Sequence, residues 1–202
     1  MRLPVIAALL AVSAGPALSE CLDAADLGRG IVVTYVNGDV TTMRRVSDGT
    51  VQVDETYADG TQPMRFRAQR GIYFLEEHGV LPDGAPVPGT RLEIAFAQDP
   101  ETLPLPADGI AWTGETTNIF ENGTQRAETM SIAFTAAPPV LLSGCAYQTL
   151  DTDLRYDWGA DGGITLEYLY LTELGVGIVI SNHFDGGERL EAFPASLALA
   201  GK

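Results

Sequence analysis

Residues 31–72 read IVVTYVNGDVTTMRRVSDGTVQVDETYADGTQPMRFRAQRGI, and the turn residues of this segment indicate the fold class. Turn residues recur in it every eleven positions, at Asn37-Gly38, Asp48-Gly49, Asp59-Gly60 and Gly71. Asn-Gly and Asp-Gly pairs favour tight hairpin turns, and the segments between them are rich in Val, Thr, Tyr and Phe. Because eleven residues are enough for one strand and one turn, the stretch predicts consecutive antiparallel strands.

Alternation within these segments predicts a sheet with one buried and one solvated face. The predicted strands cover residues 31–36, 40–46, 51–57, 63–69 and 72–77. In the fourth of them, Met64, Phe66 and Ala68 alternate with Arg65 and Arg67. Strict alternation of apolar and charged residues is typical of a strand packed on one side only.

The remainder of the chain continues the meander with longer strands. A strand over 92–96 lies between two proline-rich loops, and short helical turns are predicted over 23–27 and 196–200. Further strands are predicted over 110–120, 125–135, 146–158, 164–171, 176–182 and 189–193. Roughly twelve antiparallel strands predict a single all-β domain over residues 20–202. A sheet of that width forms a sandwich or an open (half-)barrel, and the sequence leaves both alternatives open.

An aromatic residue precedes several of the turns. The recurrence indicates hairpins that are built alike, but its spacing is too irregular for a propeller or a solenoid. The residues concerned are Tyr35, Tyr57, Phe120, Trp158 and Phe184.

The first residues have the features of an export signal. Arg2 is followed by an apolar run over 3–12 and then by small residues, which predicts a signal peptide over 1–19 with cleavage between Ser19 and Glu20. The run is shorter than the roughly 20 residues that cross a bilayer, and no second run of that length follows. We therefore expect a periplasmic or extracellular protein without a membrane span.

Cysteine usage agrees with export. The chain has two cysteines, Cys21 and Cys145, and in an oxidising compartment we expect them to form a disulfide. Attachment of a lipid to Cys21 is the alternative, but Glu20 stands where lipidation requires a small residue.

The acidic composition narrows the class of partner. Without residues 1–19 the chain has 11 basic and 27 acidic side chains, a formal charge of −16. This charge argues against nucleic acid and anionic membrane surfaces, which are themselves polyanions. A cationic partner stays open, and the simpler interpretation is that the charge keeps the protein soluble.

No catalytic, metal or cofactor motif is present in the sequence. His78 and His183 are the two histidines, no nucleophile motif accompanies them, and Glu76, Glu77 and His78 lack zinc-site spacing. An acidic run departs from the calcium-loop pattern at the positions of key ligands. Its members are Asp151, Asp153, Asp157 and Asp161. We therefore predict no metal and no cofactor, and the catalytic residues, if any exist, stay unknown.

Aromatic strand residues of the second half are the best candidates for ligand contacts. They are Trp112, Trp158, Tyr168 and Tyr170, although aromatic residues on strands also fill cores. The sequence favours a non-enzymatic binding or interaction module for a small apolar ligand, a lipid or a protein partner. A secreted carboxylate-dependent hydrolase is one alternative, and it requires an Asp or Glu of raised pKa in a cleft. A structural subunit of an envelope complex is the other.

Overall fold

Thirteen antiparallel strands form one sheet in the computed structural model, which describes residues 21–201. The strands are β1 Ile31–Tyr35, β2 Val40–Arg45, β3 Val51–Thr56, β4 Met64–Gln69, β5 Tyr73–Gly79, β6 Leu92–Phe96, β7 Ala111–Phe120, β8 Gln125–Leu142, β9 Cys145–Asp157, β10 Gly163–Leu171, β11 Val176–Phe184, β12 Leu190–Glu191 and β13 Pro194–Leu199. Single-turn 3-10 helices span Asp26–Gly28, Pro100–Thr102 and Gly159–Asp161. The predicted signal peptide lies outside the described residues. Within 21–201, no helix is long and apolar enough to cross a membrane.

Strands β1 to β12 pair in chain order, and β13 pairs with the outer side of β1. The strands β12 and β13, which are the two edges of the sheet, therefore come from one extended segment, residues 190–199. The amide of Ala192 donates to the carbonyl of Ile180 over 2.8 Å, and the amide of Val36 donates to the carbonyl of Phe193 over 2.9 Å. The sheet curls until its two edges meet along this segment, but no continuous ladder of hydrogen bonds joins the edge strands β12 and β13 to each other. The structure is thus an open barrel rather than a sandwich.

The helical turn predicted over 196–200 is wrong, because this region is strand β13. Alanine and leucine favour helix locally, but ladder pairing to β1 outweighs that preference, with Leu197 opposite Val33. The Ser143 hydroxyl donates to the Leu197 carbonyl over 2.8 Å and accepts from its amide over 2.9 Å. Contacts distant in sequence therefore decide the conformation here.

Strand β8 is longer than predicted, since it continues past Pro138 and Pro139 to Leu142. Proline cannot donate to a ladder and is tolerated in strands at bulges. The register shifts between Ala137 and Val140, so that the two prolines occupy a bulge. The bulge leaves the Pro138 carbonyl without a partner in the ladder. The Thr149 hydroxyl donates to this carbonyl over 2.9 Å.

Because consecutive strands are antiparallel, every second turn of the meander lies at the same end of the barrel. We call the end that holds the turns after β1, β3, β5, β7, β9 and β11 the open end. The end that holds the turns after β2, β4, β6, β8 and β10 is the closed end.

Opposite walls touch at the closed end. Gly71 follows β4 and Gly177 lies in β11, yet the amide of Gly177 donates to the carbonyl of Gly71 over 3.1 Å. A Cβ on Gly71 would lie 2.7 Å from Cγ1 of Val176. Apolar side chains fill the interior here, among them Leu27, Ile31, Met43, Leu171, Leu174 and Val176, each fully buried.

The predicted disulfide between Cys21 and Cys145 is confirmed. Cys145 begins β9 at the closed end, and the amide of Leu22 donates to the Tyr147 hydroxyl over 3.1 Å. The bond ties the first described residues to the second half of the meander. Its presence indicates an extracytoplasmic location, where disulfides persist. A sulfur engaged in a disulfide is also not available for attachment of a lipid.

Candidate functional site

The barrel interior is hollow at the open end. A cavity of about 500 Å³ lies there, partly open to solvent, and its size is within the range of small-molecule pockets. Apolar side chains from β4, β5, β6 and β10 form much of its wall, including Phe66, Phe74, Leu92, Ile94, Ile164 and Leu166. The filled closed end forms the floor beneath it.

The aromatic residues that precede turns surround this cavity. Tyr57, Phe120, Trp158 and Phe184 all line it, and each stands before a turn of the open end. Tyr35, the fifth, also precedes an open-end turn, but it is buried in a packed core cluster and does not line the cavity. The recurrence seen in the sequence thus follows from the meander, because alternate turns bring their aromatic residues to one rim.

A buried carboxylate is held in the wall by three donors. The Glu128 side chain accepts from the Thr116 hydroxyl over 2.8 Å, from Nδ2 of Asn118 over 2.9 Å and from Nε1 of Trp158 over 2.5 Å. Glu128 is 6% exposed. Charge-assisted hydrogen bonds of this kind are among the stronger ones in proteins, so the network fixes both Glu128 and the ring of Trp158.

A cation is stacked on the rim. The guanidinium carbon of Arg126 lies 4.3 Å from the ring centroid of Trp158 and 5.6 Å from that of Phe120. Stacking of a cation on an aromatic face is favourable because of the ring quadrupole. Arg126 forms no ion pair with an acidic side chain of residues 21–201.

Two further carboxylates face the cavity. Burial raises the pKa of Glu55, although its carboxylate accepts a hydrogen bond from the Tyr57 hydroxyl over 2.6 Å. Burial also raises the pKa of Glu77, and the nearby charges of Glu128 and Glu55 raise it further. Desolvation disfavours the ionised form of a carboxylic acid. Within residues 21–201, neither the Glu55 nor the Glu77 carboxylate forms an ion pair.

Two tyrosines complete the wall between these acids. Burial raises the pKa of Tyr156 and of Tyr168 well above the ordinary value, so both hydroxyls stay protonated at neutral pH. Tyr156 is 7% exposed, and its hydroxyl has no hydrogen-bond partner in the described part of the chain.

Of the four aromatic residues predicted as ligand contacts, the structure brings Trp158 and Tyr168 to the cavity. Trp112 lies elsewhere in the interior, with its ring over Gly114 and 5.9 Å from that of Phe96. Tyr170 is buried near the closed end, where its hydroxyl donates to the carbonyl of Arg70 over 3.2 Å. That these four bind a ligand stays a prediction.

The acidic run of the sequence lies apart from the cavity, and the sheet divides the histidine cluster, since Glu77 lines the cavity whereas Glu76 and His78 do not. Glu76 accepts a hydrogen bond from Arg91 over 2.8 Å and lies 3.6 Å from Nδ1 of His78 on the outer face of β5. In the described region, no three His, Cys, Asp or Glu side chains are close enough together to hold a metal ion.

The polar residues of the cavity were not predicted as ligand contacts from the sequence. Glu55, Glu77, Asn118, Arg126 and Glu128 come from four different strands. What they share is position, since each lies within a few residues of an open-end turn. The recurring aromatic residues at those turns were the signal that could have led to them.

The fold and the cavity together define an extracytoplasmic open β-barrel with an interior site of small-molecule size. No protein-family model matches the chain, and no curated protein matches it. Among solved structures, the chain is similar to the hypothetical lipoprotein YmcC from Escherichia coli (K12), at 14% sequence identity and a TM-score of 0.44. That similarity covers 84% of this chain and 86% of the other.

Proposed function

We propose that the protein is an exported binding module whose barrel cavity holds a small molecule with an apolar body. The single observation that carries the proposal is the cavity at the open end, since an interior of about 500 Å³ lined by aromatic and aliphatic side chains is left unfilled. Closely packed interiors leave few voids larger than a water molecule, and pockets of this size and composition usually hold ligands.

The arrangement of the ends supports the same function. At the closed end, the contact between Gly71 and Gly177 and the disulfide give the barrel a fixed floor. At the open end, Tyr57, Phe120, Trp158 and Phe184 surround the cavity. Aromatic side chains offer a large contact area with few rotatable bonds, which lowers the entropic cost of binding.

Binding is tested with the purified, oxidised protein and the neutral fluorescent probe N-phenyl-1-naphthylamine, together with native mass spectrometry for a co-purified ligand. We expect the probe fluorescence to rise on binding. The variant Ile164→Trp fills the cavity and should abolish the rise. Its control is Thr165→Trp on the outer face of the same strand, where Thr165 contacts Arg155.

A mass spectrum without ligand, combined with probe fluorescence that is the same in the wild-type and Ile164→Trp proteins, would remove the basis of the proposal. Equal loss of binding in both tryptophan variants would show that the substitutions act on the fold, and not on the cavity.

A second candidate function is a carboxylate-dependent hydrolase. One observation favours it, since the hydrolase hypothesis requires a carboxylic acid of raised pKa in a cleft, and Glu55 and Glu77 have raised pKa values in the cavity. A screen of glycan substrates tests this function. Hydrolysis that is lost in Glu77→Gln or Glu55→Gln would support it, and a silent screen would count against it.

A further inference from the structure

The charges around the cavity are unbalanced. Four carboxylates line it, those of Asp39, Glu55, Glu77 and Glu128, against the single guanidinium of Arg126. The Glu77 carboxylate forms neither a hydrogen bond nor an ion pair with another residue in the described range of the chain, and Glu55 is held only by the neutral hydroxyl of Tyr57. Both side chains are half-buried, and a charge partly removed from water is normally compensated by an opposite charge or by hydrogen bonds.

Two buried polar atoms of the cavity wall lack hydrogen-bond partners among the described residues. Oδ1 of Asn118 is buried without a partner, and the residue is 1% exposed. Its amide nitrogen already donates to Glu128, which sets the orientation of the amide and leaves an acceptor unfilled. The Tyr156 hydroxyl is also buried without a partner. Both side chains line the cavity, and leaving such atoms unsatisfied is unfavourable.

We infer that the cavity binds an organic cation, a primary amine on an apolar chain or ring, whose ammonium group lies among Glu55, Glu77 and Glu128. This inference rests on the proposed function and adds the charge of the ligand. An ammonium group supplies three donors, enough for Oδ1 of Asn118, the hydroxyl oxygen of Tyr156 and one carboxylate oxygen. The apolar part of the ligand would contact the aliphatic and aromatic wall.

Arg126 is the cation in the cavity wall and would favour an anionic ligand, since its Nε has no partner among the described residues. Its guanidinium face is, however, already stacked on Trp158. A ligand carboxylate placed beside it would also meet the four carboxylates of the wall. Like charges at short range in a partly desolvated site repel strongly, so the balance favours a cation. The stacking of Arg126 itself shows that the aromatic rim accommodates a cation.

The test compares three probes that share a ten-carbon chain: decylamine, decanol and decanoate. Calorimetric titration of the purified, oxidised protein at pH 7, below the micellar concentration of each probe, measures their affinities. We expect decylamine to bind at least about tenfold more tightly than decanol, and decanoate to bind more weakly than decanol.

Substitutions assign the preference to the carboxylates. Glu77→Gln keeps the shape of the side chain and removes its charge, so it should lower the decylamine affinity at least about tenfold and the decanol affinity much less. The matched control is Glu76→Gln, the neighbouring residue on the outer face, which should change neither affinity. Glu55→Gln is the second variant, and thermal unfolding checks that each protein is folded.

Equal affinity for decylamine and decanol, or tighter binding of decanoate, would overturn the cationic ligand and leave the proposed binding function standing. Absence of binding by all three probes would overturn both. A preference for decylamine that survives in Glu77→Gln and in Glu55→Gln would overturn the role assigned to these carboxylates.

Discussion

Glu76 and Glu77 are consecutive residues of β5 whose carboxylates lie on opposite faces of the sheet. The Glu76 carboxylate accepts a hydrogen bond from Arg91, which lowers its pKa, and the nearby Arg67 and His78 lower it further. The Glu77 carboxylate faces the cavity, where burial raises its pKa. The alternation of the strand thus gives two neighbouring glutamates opposite effects on stability.

Glu77→Gln should stabilise the protein at neutral pH. Because the pKa of Glu77 is higher in the folded protein, the folded protein keeps this proton to a higher pH than the unfolded chain does. The free energy of unfolding therefore falls as the pH rises above 4.5, the ordinary pKa of a glutamate. The variant lacks this titration. Urea unfolding at pH 7 should therefore show Glu77→Gln to be more stable than the wild type, with the difference shrinking toward pH 4. A Glu77→Gln protein less stable than the wild type at pH 7 would contradict this assignment.

Glu76→Gln is the control, and it should change the free energy of unfolding in the opposite direction. The stabilisation from Glu76 and Arg91 is present above the ordinary pKa of the glutamate and is lost as the pH falls through the lowered folded value. We expect this variant to lose up to about 1 kcal/mol of the free energy of unfolding at pH 7, as is usual for partly exposed ion pairs. The same urea titrations should show that loss vanishing in acid.

Gly71→Ala should be strongly destabilising. Gly71 has a φ of +64°, and a Cβ there would lie 2.7 Å from Cγ1 of Val176 and 2.9 Å from the carbonyl oxygen of Gly175. Backbone strain and the clash between opposite walls should together cost more than about 2 kcal/mol, measured as the shift in urea midpoint. Gly60→Ala is the comparison, since Gly60 has a φ of +83° with nothing within 4 Å of the added Cβ. Its strain alone should cost about 1 kcal/mol, and equal losses in the two variants would contradict the wall contact.

Removal of the disulfide should cost about 4 to 5 kcal/mol on the chain-entropy model, because the bond joins residues 124 positions apart. The double variant Cys21→Ser, Cys145→Ser tests this by urea unfolding, beside the wild-type protein with and without reductant. The reduced wild type and the double variant should unfold at similar midpoints. A double variant as stable as the oxidised protein would show that the tie to the closed end contributes little.

Trp158→Phe should destabilise the protein by about 1.5 to 3 kcal/mol, the usual contribution of a hydrogen bond to a charged group. The phenyl ring keeps an aromatic face beneath Arg126, while Glu128 loses its indole donor. Trp112→Phe is the matched control, since the Trp112 indole donates no hydrogen bond to residues 21–201 and should lose packing alone. An indole N–H resonance of Trp158 without the downfield shift of a strong hydrogen bond would argue against the contact with Glu128.

Local rules account for most of the strands that the sequence predicted. Gly38, Gly49, Gly60 and Gly71 all have positive φ, so the eleven-residue spacing marked turns that only a few residue types form readily. The missed strand β13 shows the opposite case. Residues 194–199 carry no strand signal of their own, and only pairing with β1 makes them extended.

The candidate site could be predicted from the sequence only in part. The aromatic residues at the open-end turns were visible in the sequence, because their relation to the turns is local. Nothing local separates Glu55, Glu77 and Glu128 from the other acidic residues. They become members of one cavity only because the sheet curls and brings β3, β5 and β8 around the same hollow.

The antiparallel meander, the pairing of Cys21 with Cys145 and the aromatic residues before the turns can all be predicted from the sequence. Each depends on a local turn conformation, on the period of side chains along a strand, or on the presence of two cysteines. That one barrel end is filled and the other hollow follows from the tertiary structure alone. The physical reason is that filling depends on the distance between opposite walls. At Gly71 and Gly177 the walls are one hydrogen bond of 3.1 Å apart, and at the open end they are far enough apart to leave a cavity lined by four carboxylates.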